Sequence, residues 1–141
     1  MKLMLPPLPA IKNKREANWT TNYLKEWVLE KSTIPSGPIE VKVTTTNSLP
    51  FSAVSENQLQ DLHKCTTAKG FWYKHPDTGM ANRFDVTFYR NSPAYIIIKY
   101  PKSFYVITVG TFILEKKNSK RKSLTALRAE SIAIISNNLS S

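Results

Sequence analysis

Hydrophobic and polar positions fall into two rhythms along this chain, and the change from one to the other marks its elements. From Pro38 to Thr44 the period is two: Ile39, Val41 and Val43 fall on one side, and Glu40, Lys42 and Thr44 on the other, the pattern of a strand with one apolar face. Pro35, Gly37 and Pro38 end whatever precedes it and deliver the chain into that strand. Upstream, residues 11 to about 31 keep a helical period, with Trp19, Tyr23, Trp27 and Val28 on one apolar face. Downstream, residues 44–48 are polar and turn-prone. Ser55-Glu56-Asn57-Gln58 then forms a Ser-x-x-Gln capping box, with Val54 and Leu59 placed to staple across it. A second helix is therefore predicted from Ser55 to about Lys69, with Leu59, Leu62 and Cys65 inward and Gly70 as its stop.

The period of two returns after Gly70. Residues 71–74 and 83–89 read as a hairpin about the turn His75-Pro76-Asp77-Thr78-Gly79, with Phe84, Val86 and Phe88 on one face and Asp85, Thr87 and Tyr89 on the other. Residues 94–100 are almost continuously apolar, as expected of a central strand covered on both faces, and residues 104–109 return antiparallel to it. A basic loop, Lys116 to Lys122, precedes a last helix from about Ser123 whose Leu127, Ile132 and Ile135 face the core. Residues 1–10 read as an extended proline-rich arm, 11–135 as one domain and 136–141 as a frayed, flexible tail. The order helix, strand, helix, paired strands, helix predicts an α/β fold with a small mixed β-sheet flanked by helices.

Composition narrows the class. A chain of 141 residues with 41% hydrophobic content is long enough for one real core. No run approaches the roughly 18–20 apolar residues of a membrane span. Residues 1–5 are too short for a secretory core before Pro6-Pro7, and the single Cys65 suits a reducing compartment, so an intracellular protein without a membrane partner is expected. One cysteine also excludes a multi-cysteine zinc site, and His63 and His75 lack zinc-pair spacing. The net charge of +10, from 20 Lys and Arg against 10 Asp and Glu, favours a polyanionic partner, above all nucleic acid. Lys116, Lys117, Lys120, Arg121 and Lys122 form one candidate phosphate-contacting cluster; Lys12, Lys14 and Arg15 form a second. The aromatics Phe71, Trp72 and Tyr73 suit either the core or stacking on unpaired bases, and the core reading is preferred.

Candidate chemistry centres on Glu40 and Lys42, two residues apart on one strand face. A fixed carboxylate can hold a divalent metal, and a neighbouring ammonium can polarise water or stabilise developing negative charge. Ile39-Glu40-Val41-Lys42, then Ser48 to Val54 and the helix start Asn57-Gln58-Leu59, resembles the core of the PD-(D/E)XK nucleases. Residues 94–100, 104–107, Phe112 and Arg121-Lys122-Ser123 are similar in order to the C-terminal half of RecU-type Holliday-junction resolvases, and the resemblance spans roughly residues 36–135. It implies a restriction-endonuclease-like core, a homodimer acting on branched or structured DNA, and Mg²⁺ or Mn²⁺ held by acids at the sheet edge. Glu40 would then be a metal ligand and Lys42 the catalytic lysine. Gln58 matches a glutamine that the family often places at the helix start, in competition with its capping role. The family's usual aspartate on an earlier strand is missing, since no acid lies between Glu30 and Glu40. Asp85, on a polar strand face, is preferred as the second acid over Asp77 in the turn, with Glu16 on the first helix ranked below. The alternative is a non-catalytic nucleic-acid-binding protein on a degenerate nuclease fold.

Overall fold

The most apolar run of the chain becomes the middle of the structure, because only a strand covered on both faces has use for it. In the computed structural model, which describes residues 14–74 and 86–139, β5 (Tyr95–Lys99) lies between β1 (Ile39–Val43) and β6 (Ser103–Thr108). β8 (Ile135–Asn138) completes a four-stranded sheet of order β1-β5-β6-β8. β1 runs parallel to β5, from Ile39 opposite Tyr95 to Val43 opposite Lys99, whereas β6 and β8 are added antiparallel. Ile96, Ile97 and Ile98 are fully buried. The fold is α/β with a small mixed sheet between helices. Among the described residues no helix is long and apolar enough to cross a membrane.

Each sheet face carries its own core. On one, Ile96, Ile98 and Ile107 pack under α3 (Glu56–Thr66), α4 (Val109–Asn118) and α5 (Ala126–Ile132) through Leu59, Leu62, Phe112 and Ala129. On the other, Ile39, Ile97 and Val106 meet a long helical segment made of α1 (Lys14–Trp19), a π-helical turn (Thr20–Leu24) and α2 (Lys25–Glu30). Its predicted aromatic stripe closes on one residue of β6. Trp19, Tyr23 and Trp27 meet the Phe104 ring edge-on at 5.3, 6.0 and 4.8 Å between centroids. Residues four apart drift by about 40° around a regular α-helix of 3.6 residues per turn. The wider π turn takes up that drift, which keeps all three rings on Phe104.

Two short sheets complete the chain: β2 (Ser48–Pro50) pairs with β7 (Ser123–Thr125), and β3 (Phe71–Lys74) with β4 (Val86–Tyr89), both antiparallel. The buried Tyr100 hydroxyl donates to the Leu124 carbonyl at 2.8 Å and ties β7 to the end of β5. Gly37, just before β1, passes so close to Pro93 that a β-carbon would collide with the Pro93 carbonyl. This crossing fixes where β1 meets β5, and Tyr95 N–H donates to the Pro38 carbonyl beside it.

Several expectations need correcting. The capped helix ends at Thr66, short of Lys69. Residues 109–118 form α4, so Lys116 and Lys117 lie on a helix and only residues 119–122 remain a loop. The expected helix from Ser123 begins as β7, Leu127 is 80% exposed, and Ile135 belongs to β8. Residues 136–138, expected in a frayed tail, continue from Ile135 as an edge strand, because β6 has an edge to be paired and Val106 pairs with Ile135. Burial tells the two hairpin faces apart. Thr87 is buried, whereas Trp72, Val86 and Phe88 face outward at 68, 42 and 38% exposure, which corrects the core reading of Trp72.

Phe104 is fully buried and receives three aromatic partners. Phe104→Ala should cost about 3–5 kcal/mol, the range for deleting a buried phenyl ring. A loss under about 1 kcal/mol by denaturant titration would show that the helical segment is held elsewhere.

Candidate active site

β1 is bonded on one side only among the described residues, and this sets the directions of its groups. Pro38 and Thr44 bond β5, through Tyr95 N–H to Pro38 C=O and Thr44 N–H to Lys99 C=O. By the alternation of a strand, the backbone groups of Ile39, Val41 and Val43 point to the open edge. Side chains alternate too. Ile39 and Val41 enter the aromatic core beneath the first helical segment, which leaves Glu40 and Lys42 on the face shared with α3.

There the two side chains meet. Lys42 Nζ is 3.3 Å from Glu40 Oε1, and Gln58 Nε2 donates to the same oxygen at 3.2 Å. The Glu40 and Lys42 side chains are each only 15% exposed. Gln58 is aimed by the cap of α3: its N–H donates to Ser55 Oγ at 3.2 Å, and its own Oε1 accepts from Ser55 N–H at 3.0 Å. The two roles that competed for Gln58 are thus filled together, one by each end of its amide. The cap holds Oε1, which leaves Nε2 directed at Glu40. Among the described residues Glu40 Oε2 accepts no hydrogen bond.

Glu16 supplies a second acid. It lies on the flank of the stripe that begins at Trp19, and its Oε1 accepts the outward-pointing N–H of Val43 at 3.1 Å. A carboxylate from the helical layer on one face thereby wraps the open edge of β1 toward the acid on the other. Burial pushes the Glu40 carboxyl above its ordinary range, the Lys42 ammonium and its hydrogen bond draw it back, and the negative charge of Glu16 adds to the rise. Two carboxylates near a mostly buried position repel, and a cation relieves that repulsion.

The other sequence candidates divide clearly. Asp77, Asp85, His75 and Lys12 lie outside the described residues, and Lys14 opens α1. Arg15 is exposed in the first turn of that helix. The basic segment touches the start of α3 and the turn before it at two points. Lys116 Nζ pairs with Glu56 Oε2 at 3.0 Å, two residues before Gln58, and the Lys122 carbonyl accepts from Phe51 N–H at 3.0 Å. Lys117, Lys120, Arg121 and Lys122 are exposed. Cys65 is buried in α3, and burial pushes its thiol up to about 11, so it is no nucleophile at neutral pH. Glu16 was ranked below Asp85 and Asp77 among the acids, and of the three only Glu16 lies among the described residues.

Among the described residues no group of three or more His, Cys, Asp or Glu side chains is gathered to hold a metal. The donor set still fits Mg²⁺ or Mn²⁺. Such an ion keeps several waters and takes one or two protein carboxylates, with substrate oxygens completing its shell. Glu40 and Glu16 each have one oxygen held in place and, among the described residues, one without a hydrogen bond. The chain matches no protein-family model, no curated protein and no solved structure, so the site stands on its own geometry.

A raised carboxyl pKa means that the folded chain binds the Glu40 proton more readily than the unfolded chain does. Glu40 therefore opposes folding least below its ordinary 4.5 and most above its raised folded value. The stability of the wild type relative to Glu40→Gln should rise as pH falls from 7 toward 4.5. Denaturant titrations of both proteins across that window check it, and a flat or opposite slope contradicts the burial of this charge.

Proposed function

We propose that the protein is a small metal-dependent endonuclease of the PD-(D/E)XK type, acting as a homodimer on branched or otherwise structured DNA. The observation that carries this reading is the convergence of Lys42 and Gln58 on one oxygen of Glu40, with Glu16 at the strand edge beside it. An acid, a lysine and an orienting amide on one sheet face suit phosphodiester hydrolysis, and the order of motifs noted in the sequence agrees. A bound Mg²⁺ or Mn²⁺ would polarise the scissile phosphate and lower the pKa of a nearby water.

The residues divide the remaining work. Glu40 and Glu16 would hold the ion, with Gln58 fixing the orientation of the Glu40 carboxylate. Lys42 would leave Glu40 for the phosphate, where its ammonium offsets charge that builds as water attacks phosphorus. Lys117, Lys120, Arg121 and Lys122 would hold the DNA backbone beside the site. Two copies would bring two sites to paired strands.

Incubating the protein with four-way junction, duplex and single-stranded DNA, with Mg²⁺ or Mn²⁺ against chelator, tests the reading. Metal-dependent cleavage favouring the junction is expected. Lys42→Ala should abolish cleavage and keep DNA binding, and a variant that cuts at the normal rate would sink the assignment. Glu16→Gln retains an acceptor for Val43 N–H but removes the charge, so it should raise the Mg²⁺ concentration for half-maximal cutting about tenfold or more.

One observation favours a second reading, in which the protein binds nucleic acid without cutting it. Lys42 already neutralises Glu40, as an inactive descendant of such a site would also allow. Binding with steep salt dependence and no metal-dependent nicking would select it.

A further inference from the structure

We propose that the outer face of the β3–β4 hairpin is a stacking platform for an unpaired base of single-stranded DNA. Alternation along the strands puts Trp72 and Lys74 of β3, and Val86 and Phe88 of β4, on this face. Trp72 and Phe88 are directly opposite and their rings pack at 4.5 Å between centroids, tilted by 36°. Trp72 nonetheless remains 68% exposed, so much of the indole is open to solvent. A large aromatic left in water at the centre of a sheet face, while Thr87 of the same hairpin is buried, is the reverse of what core packing selects.

The charges around the pair identify the occupant. The guanidinium of Arg90 lies 5.8 Å from the Phe88 ring centroid, and Lys74 stands exposed at the other end of the face. Neither β3 nor β4 contains an acid. An aromatic pair bracketed by cations fits a chain in which planar bases alternate with phosphates. Every base has a π-face to place on the indole, and the flanking phosphates meet Lys74 and Arg90. Duplex DNA keeps its bases stacked within the helix and offers the platform only its backbone.

The start of β3 also packs closely on Phe88. Gly70, at φ +81°, allows the chain to enter β3 with its α-carbon against Phe88 and the Tyr89 carbonyl, where a β-carbon would come within 2.5 Å of the Tyr89 oxygen. Phe88 thus lies between Gly70 and Trp72, whose ring packs on it. This inference relies on the proposed function only in taking DNA as the partner, and it requires no cleavage. It adds unpaired bases, as found at branch points, to the features that the protein selects.

Binding of a fluorescent oligothymidylate and of a duplex of equal length, measured by anisotropy in chelator, tests the platform. Trp72→Ala should weaken oligothymidylate binding about tenfold and change duplex binding less than about twofold. Trp72→Phe should recover most of the affinity, and oligothymidylate should quench the wild-type tryptophan emission more than it quenches Trp72→Phe. Equal losses on both DNAs, or no loss on either, overturn the proposal. So does a Trp72→Ala protein that binds oligothymidylate normally but sediments as a smaller species, which would make the face a contact between copies. Absence of cleavage in metal-loaded assays would remove the nuclease reading alone, since the anisotropy arms do not depend on it.

Discussion

The one-sided pairing of β1 governs everything around it. A strand bonded on both sides has no backbone groups to offer, and its flanking side chains are walled in by neighbours. Because β5 takes one side of β1 and no described strand takes the other, the Val43 N–H is free to receive Glu16. An unpaired edge ordinarily invites unwanted strand addition, and here a carboxylate covers part of it.

The two layers against the sheet do different work at this edge. The aromatic clasp on Phe104 anchors the helical segment that delivers Glu16, whereas the cap of α3 aims Gln58 from the opposite face. Neither layer would suffice alone, since the acids come from opposite sides of one strand. Enclosing Glu40 and Lys42 is costly in itself. A buried ion pair recovers its desolvation only with good geometry, and apolar residues of the same size often give a more stable protein. The 3.3 Å separation of Lys42 and Glu40 is longer than that of a tight charge-assisted hydrogen bond.

Legibility in the sequence followed the physics of each element. The Ser55 cap, the aromatic stripe and the apolar run of β5 were readable because each is a local pattern with one structural solution. α4 was missed: Val109-Gly110-Thr111 reads as strand and turn, and only the Thr108 side chain accepting from Thr111 N–H marks a helix start. β8 escaped because Ile135-Ser136-Asn137-Asn138 has little strand character of its own and is recruited by the edge of β6. The outward Trp72 was missed for a similar reason, since alternation identifies two faces without saying which one the core takes. Glu40 and Lys42, paired by strand alternation, and Gln58, read from the capping box and the resemblance, do meet in the structure. The contact of Glu16 with Val43 was not legible, because it goes around a strand edge, a relation that no sequence interval encodes.

The parallel pairing of β1 with β5 also bears on how the protein assembles. β5 and β6 join through a tight connection, with Tyr100 N–H donating to the Ser103 carbonyl, so their hairpin can form early from neighbouring residues. Ile39 and Tyr95, by contrast, pair across more than fifty intervening positions, and closing so long a loop is what slows topologies of this kind. Glu40 and Lys42 ride on the strand that joins through that closure. The pair is therefore complete only once that long-range closure is made.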